Sequence, residues 1–407
     1  MRVLMTTTPS PSHLAPMIPL AWALRAAGHE VLVMGQPDIQ KTAHAAGLTS
    51  VSVGAPYYGN DSVLPYLPPG IRPLQALGRN NKEVLPGAAK VYATHARYMV
   101  RSYLDVAREW RPDLVVGEQF DYTSLMIGGA LGVPAVHHRW GVDPLTGPAR
   151  PIAAIFLDGL CRRLGMDGLP EPHAVLDPCP PSLQDPDAAP GTPIRFVPFN
   201  GVGTRPTWVT EPRAGRRVCV TLGRQTLVTN GLPLLRHVLE AFDGLRDGAD
   251  AAVEAVVTVD PRFRDQVGAV PAAVRIVDPT PLNLFLHTCD AVIHHGGCGS
   301  ALTATAAGLP QLVLPQLLDQ FTVGDALADA GAGISLDTAA AQDDPERVRA
   351  AVSALLTEEG HRRAAAELAD EVRNMPSPAA VAADLEQLVP AAYGRASAPA
   401  PALVAAS

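Results

Sequence analysis

Residues 290–300 read Asp290-Ala-Val-Ile-His294-His295-Gly296-Gly297-Cys298-Gly299-Ser300, and a helical run, Ala301–Ala307, follows directly. An apolar strand, a glycine-rich turn and a helix start, in that order, form the strand–turn–helix unit of a parallel α/β sheet. Glycines let backbone N–H groups approach a ligand closely, and the amino end of a helix favours an anion. A serine at the helix start donates to phosphate oxygen, and a histidine in the turn donates a ring proton. The two histidines and Ser300 together predict a diphosphate cradle. The plainer alternative is a packing turn with histidines as core fillers. No Walker lysine accompanies the turn, so nucleoside triphosphate hydrolysis is not the expected chemistry.

The next segment outward is Leu314-Pro315-Gln316-Leu317-Leu318-Asp319-Gln320-Phe321. An Asp–Gln pair is by itself ordinary helix-start chemistry. About twenty residues beyond a diphosphate cradle, it stands where a sugar on that diphosphate would lie. Other strands expected in this half are Arg217–Leu222, Ala252–Thr258, Val274–Val277, Asp290–His294 and Gln311–Leu314.

The first half repeats the alternation. Arg2–Thr6 is a strand, a helix runs from about His13 to Ala27 and stops at Gly28, and Val31–Met34 is the next strand. Asp113–Val116, a helix near Tyr122–Leu131 and the strand Pro134–His138 continue the pattern. Between them, Ala55–Arg101 holds Tyr57, Tyr58, Tyr66, Tyr92 and Tyr98, either a surface insertion or an acceptor-binding wall over the carboxyl edge of the sheet. Residues Pro170–Pro212 are dense in Pro, Asp and Gly and read as a linker without regular structure. The fold class expected is α/β, with two Rossmann-like domains facing a central cleft. Residues 1–205 are expected to form the first domain with the Pro-rich linker at its end, 206–390 the second, and 391–407 a disordered tail.

Composition agrees with such a protein. The chain has 407 residues, 47% hydrophobic and 18% charged, enough for two buried cores. A net charge of −8 supplies no basic face for nucleic acid. No apolar run reaches the length of a membrane span, and the start, MRVLMTTTPS, reads as a buried strand rather than a secretory signal. Five scattered cysteines without a CxxC pair suggest reduced thiols and a cytoplasmic protein.

The run HHGGCGSALTATAAGLPQLVLPQLLDQF, with VRIVDPTPLNLFLHTCDAVI before it, resembles the donor domain of nucleotide-sugar glycosyltransferases of the GT-B fold. The resemblance is strongest to bacterial enzymes that attach deoxysugars, usually from dTDP donors, to polyketides and other natural products. It runs from about Val218 to Leu336. It implies that His295, Gly297, Gly299 and Ser300 bind the donor diphosphate, and that Asp319 and Gln320 contact the donor sugar. Arg224, in TLGRQT, becomes a further phosphate contact, and Gly223, Val277 and Pro279 fall beside the nucleoside. Relatives often place a tryptophan before the proline of this last segment. Here it reads Asp278-Pro279-Thr280-Pro281, so that stacking face is absent.

The resemblance also extends to Pro9-Ser10-Pro11-Ser12-His13-Leu14-Ala15-Pro16, whose His13 and Pro16 match the family's H-x-x-P base. Such a base needs a carboxylate behind it. Relatives carry an Asp after the strand PDLVV. Aligning on the strand puts Glu118 there, with Asp121 as the fallback. A direct role for Glu118 on a phenol or activated carbon, with His13 as a positioning group, is the alternative. His137 and His138 read as ordinary strand-end residues, and Asp185-Pro186-Asp187 as an incidental D-x-D inside the linker.

The function expected is an inverting, metal-independent glycosyltransferase that uses a dTDP- or UDP-sugar as co-substrate, no cofactor, and a hydrophobic small-molecule acceptor. A sugar-nucleotide epimerase and a non-catalytic auxiliary partner are the competing readings. A dehydrogenase is disfavoured because no G-x-G-x-x-G follows the first strand. The sugar, the acceptor, the bond type, the need for an activator protein and the oligomeric state stay open, a homodimer among the states allowed.

Overall fold

The computed structural model describes residues 1–57, 67–79, 81–213, 215–249 and 251–389, with the backbone alone at 81–85 and 224. Tyr58, Tyr66 and the tail 391–407 therefore lie outside the described residues.

Two all-parallel sheets organise the chain. The first holds β1 (Arg2–Thr6), β2 (Glu30–Gly35), β3 (Ser50–Ser52), β4 (Leu114–Glu118), β5 (Ala135–His138), β6 (Ala174–Asp177) and β7 (Thr192–Pro193), in the order β3-β2-β1-β4-β5-β6-β7. The second holds β8 (Arg217–Thr221), β9 (Glu254–Thr258), β10 (Val274–Val277), β11 (Ala291–His294), β12 (Gln311–Val313) and β13 (Gly333–Ser335), in the order β10-β9-β8-β11-β12-β13. Their strands read as continuous apolar runs because helices cover both faces, so Leu4, Val115, Val220 and Ile293 are all fully buried. In each sheet the chain builds outward from one strand and then returns to its other side. That reversal falls between β1 and β4 in the first sheet and between β8 and β11 in the second. Ligands of open α/β sheets bind beyond the carboxyl ends of strands at such reversals.

Three sequence expectations change. The Pro-rich run 170–212 is not wholly irregular, because it contributes β6 and β7 to the first sheet. Pro193 is tolerated in β7 because an edge strand can leave one side without N–H donors. The helix expected from His13 instead starts at Pro11, and a 3-10 turn, Ala15–Met17, separates Pro11–Leu14 from Ile18–Ala26. Pro16 and Pro19 remove two N–H donors there. Finally, the helix Pro378–Glu386 lies within the stretch expected as the second domain, yet it packs Val381, Ala382 and Leu385 against Leu14, Met17 and Leu24 of the first. No helix among the described residues is long and apolar enough to cross a membrane.

Candidate active site

The β1–β4 reversal brings His13 and Glu118 together. Glu118 ends β4 and is completely buried. His13 Nδ1 lies 2.7 Å from Thr8 Oγ1, and the Thr8 hydroxyl donates to Glu118 Oε1 at 2.7 Å. The Phe120 N–H donates to the other oxygen, Oε2, at 2.8 Å. Burial alone would raise the Glu118 carboxyl, but the His13 ring and the N–H and O–H donors outweigh it and hold it below its ordinary value. An ionised Glu118 only accepts, so the single Thr8 proton goes to it. Thr8 Oγ1 then accepts from His13 Nδ1–H, so in the neutral ring Nε2 is the acceptor nitrogen.

Aromatic rings surround this histidine. The indole of Trp140 is 3.9 Å from the imidazole, centroid to centroid, and Tyr92 stacks on Phe120 at 4.5 Å. The turn carrying Trp140 is fixed by Arg139, which is buried and pairs with Asp143 at 2.9 Å and Asp177 at 2.7 Å. Among the described tyrosines of 55–101, Tyr57 and Tyr98 are exposed, and Tyr92 is the one whose ring stacks in this wall. Asp121 is not joined to His13 by any hydrogen bond among the described residues. It caps the helix Tyr122–Leu131 through the Thr123 N–H, its Oδ2 is unpartnered, and burial raises its carboxyl to about 6. His137 and His138 are buried strand-end residues, bonded to Ser124 and to the Arg139 carbonyl.

The second reversal holds the other half. His295 follows β11, and its ring fits between two glycines. A Cβ at Gly223 would come within 2.4 Å of the imidazole, and one at Gly297 within 2.6 Å. Gly223 also has a φ of +70°, a conformation glycine adopts freely. His295 Nδ1 is buried without a partner, and burial lowers the ring to about 3, so it stays neutral. Its neighbour differs: His294 Nδ1 accepts from the Gly296 N–H and Nε2 donates to Gln311. The two histidines thus divide into a structural node and an open one. Helix Cys298–Ala306 begins beside His295, with Gly297 as N-cap and no side chain capping its first turn. Gly299 and Ser300 lie in that turn, with N–H groups at the positive end of the helix.

Asp319 and Gln320 start the helix Asp319–Asp329. Burial raises Asp319 to about 6, while the proximity of His13 pulls it down. Cys298 Sγ is 3.7 Å from Asp319 Oδ2 and 3.9 Å from the Val142 carbonyl, so these residues sit where the two domains meet. The Gln320 side chain turns inward instead, and its Oε1 accepts from the Gln316 and Leu317 N–H groups. Val277 ends β10, where its side chain packs beside Trp208 and Phe285, and Pro279 follows it. Arg224 occupies the first turn of the helix Gly223–Val228.

Thr8, Phe120 and Trp140 were not singled out in the sequence. A threonine inside TTTPSPSH carries no signal of its own, and the rings of Phe120 and Trp140 reach His13 only through the sheet order. Among the described residues no cluster of three or more His, Cys, Asp or Glu side chains could hold a metal ion, and all five cysteines are buried and free.

Residues 22–223 match the model of the erythromycin biosynthesis protein CIII-like N-terminal domain, and residues 244–388 match that of its C-terminal domain. The chain is 37% identical over 392 residues to the L-demethylnoviosyl transferase of Streptomyces niveus, covering 95% of this chain and 97% of that one. It is 34% identical to the tylactone mycaminosyltransferase of Streptomyces fradiae, covering 95% and 92%. Among solved structures, the spinosyn rhamnosyltransferase SpnG complexed with thymidine diphosphate superposes with a TM-score of 0.83 at 41% identity, over 95% of this chain and all of that one. With two parallel α/β domains and an architecture shared across nearly the whole chain, the protein belongs to the erythromycin biosynthesis protein CIII-like family of natural-product glycosyltransferases of the GT-B fold.

Proposed function

We propose that this glycosyltransferase is inverting and metal-independent, and moves a deoxysugar from a dTDP-sugar to a hydroxyl or activated carbon of a hydrophobic, polyketide-type acceptor. The observation that carries the reading is the His13–Thr8–Glu118 chain, which makes Nε2 the acceptor nitrogen of the neutral His13 ring. For an oxygen acceptor, Nε2 removes the hydroxyl proton as the oxygen attacks the anomeric carbon. The imidazolium formed is stabilised by Glu118 through Thr8. The bond from the anomeric carbon to the diphosphate oxygen breaks on the opposite face, and the diphosphate departs with the electron pair. Its charge is met by His295, by the Gly297–Ser300 backbone and by the Ser300 hydroxyl at the helix start. A base in one domain and an anion cradle in the other suit a single in-line displacement, which inverts the anomeric centre.

Donor sugar hydroxyls would meet Asp319 and Gln320, with Gly223, Val277 and Pro279 toward the nucleoside and Arg224 beside the phosphates. Tyr92, Phe120 and Trp140 give the acceptor an apolar wall next to the base. The dTDP preference is supported by the thymidine diphosphate bound in the SpnG complex, and the acceptor class by a second SpnG structure, complexed with spinosyn aglycone.

The test has two parts. Thermal stabilisation by dTDP, UDP and GDP is compared on the wild type and on His295→Ala, because a ligand that binds only the native state raises its melting temperature. Stabilisation by dTDP that is lost in the variant supports the donor site, and no stabilisation by either pyrimidine diphosphate sinks it. The anomeric configuration of the product, read by NMR after turnover in the presence of EDTA, then tests inversion and metal independence together.

A further inference from the structure

A strap from the first domain reaches across to the second. Residues 67–79 lie between β3 and the helix Asn81–Trp110, and they carry Arg72, Gln75 and Arg79. Arg72 is only 1% exposed. Its Nη1 donates to Asp343 Oδ1 at 2.7 Å and its Nη2 to Gln342 Oε1 at 3.3 Å. The Asn230 side chain donates to the Ile71 carbonyl at 2.8 Å and helps hold the strap in place. Arg79 makes separate, more exposed ion pairs with Asp325 and Asp337.

Gln342 is itself fully buried and uses all of its bonding capacity. Its Nε2 donates to the Leu336 carbonyl at 2.7 Å and the Pro315 carbonyl at 3.0 Å. Its Oε1 accepts from Gln316 Nε2 at 2.7 Å as well as from Arg72. Gln316 Nε2 also bonds the Leu314 carbonyl, and the Gln316 N–H binds the Gln320 side chain. The loop so held contains Leu318 at a φ of +50°, which a leucine keeps only where its surroundings fix it. At the end of this network stand Asp319 and Gln320.

We propose that Arg72 is a positioning residue that couples the first domain to the donor-sugar loop. Docking of the strap fixes the amide of Gln342, and Gln342 in turn fixes residues 314–320. A guanidinium stays charged and presents two donors at a set angle, so one side chain pairs Asp343 and orients Gln342 at once. Without it, Gln342 Oε1 and Asp343 each lose a buried partner, and the amide loses the bond that ties it to the first domain and is held less firmly against the loop. The coupling acts on the sugar end of the donor site, whereas the diphosphate end is set by Gly223, His295 and Gly297. The inference rests on the reading that Asp319 and Gln320 meet the donor sugar.

The experiment measures Kd for dTDP and for dTDP-α-D-glucose by calorimetry, together with hydrogen exchange of the 316–320 amides without ligand. The proteins are the full-length wild type, Arg72→Met, Arg72→Lys, Gln342→Leu, the Arg72→Met/Gln342→Leu double variant and Arg79→Ala. Arg72→Met and Gln342→Leu are expected to shrink the affinity added by the sugar about tenfold, the double variant no further, with dTDP affinity held within about twofold. Exchange at 316–320 rises in the same variants, Arg72→Lys recovers part of the loss, and Arg79→Ala resembles the wild type. If Arg72→Met does not fold, Gln342→Leu and Arg72→Lys decide the matter from the two ends of the same contact. The proposal is overturned if folded variants keep both the sugar increment and slow exchange, or if dTDP and dTDP-glucose weaken equally. A wild type that binds neither ligand sinks the donor reading itself. If it binds dTDP but gains nothing from the sugar, the sugar role of Asp319 and Gln320 fails, while exchange still decides whether Arg72 orders the loop.

Discussion

His13 Nδ1 and Glu118 Oε1 stand 3.6 Å apart, too far for a direct hydrogen bond, and the Thr8 hydroxyl lies 2.7 Å from each. The pair is thus an imidazole and a carboxylate joined through an intermediate hydroxyl, the arrangement that fixes the tautomer of the proposed base. Removing the base, His13→Ala, is expected to lower kcat by about 10²–10⁴ with little change in donor KM. Glu118→Gln keeps the shape but loses the charge and its strict acceptor role, so a large fall in kcat is expected there too. Thr8→Val removes only the bridge, and about a tenfold loss is expected. Steady-state kinetics with saturating donor check the order. Full activity in Thr8→Val would mean that Glu118 acts on His13 without the hydroxyl.

Asp121 belongs to a different balance. Its native carboxyl is raised to about 6, against an ordinary 3.8, mainly by burial. A folded-state value above the unfolded one means that the folded protein holds the proton more tightly. The resulting stabilisation is complete below about pH 4 and is lost as pH rises through 6. Above that, the ionised carboxylate costs about 3 kcal/mol. Asp121→Asn can still accept from Thr123, so it is expected to melt higher than the wild type at pH 8 and to converge with it toward pH 4. Melting curves across that range decide it. An Asn variant that is less stable at pH 8 would show that the charge is compensated.

At the donor half, the His295 ring occupies the space that a Cβ on Gly223 would need. Gly223→Ala therefore both strains a positive φ and pushes the imidazole out of line. The expected result is a loss of dTDP affinity approaching that of His295→Ala. His294→Ala, by contrast, breaks bonds to Gln311 and Gly296 and should lower the melting temperature. Calorimetric dTDP binding beside melting curves separates the two kinds of histidine. Unchanged binding in Gly223→Ala would show that the ring has room to move.

Much of this site was legible in the sequence because local signals carried it. His295, Gly297 and Ser300 sit on one strand–turn–helix unit, and its order alone predicts which residues gather at the strand's carboxyl end. His13 and Glu118 were reached through the family resemblance, His13 by its H-x-x-P segment and Glu118 by its place after the strand PDLVV. Thr8 was not, since its role depends on the distance between those two side chains. Arg72 was equally hidden: its partners, Gln342 and Asp343, are about 270 residues away, and no period or spacing joins them. The β6 and β7 strands escaped for another reason. Proline density masks a short edge strand, because the sheet supplies the pairing that local propensity does not.

Trp140 offers the cleanest test of the acceptor side. Its indole lies against the His13 ring at 3.9 Å, and its backbone N–H donates to Gln119 Oε1, which fixes the turn that carries it. Trp140→Leu keeps an apolar residue but removes the flat face that restrains the imidazole. Aromatic pairs contribute about 0.5–1.5 kcal/mol beyond their buried area, which corresponds to roughly two- to tenfold in an equilibrium. Acceptor kcat/KM is therefore expected to fall by about that factor, and dTDP affinity to stay unchanged because the ring contacts of the indole are with His13 and Phe120. The split matters more than the size. A fall in kcat at constant acceptor KM would assign Trp140 to holding His13, whereas a rise in acceptor KM alone would assign it to the acceptor wall. Loss of dTDP binding would instead mean that the turn after β5 props up the donor domain through the Gly141–Cys298 contact.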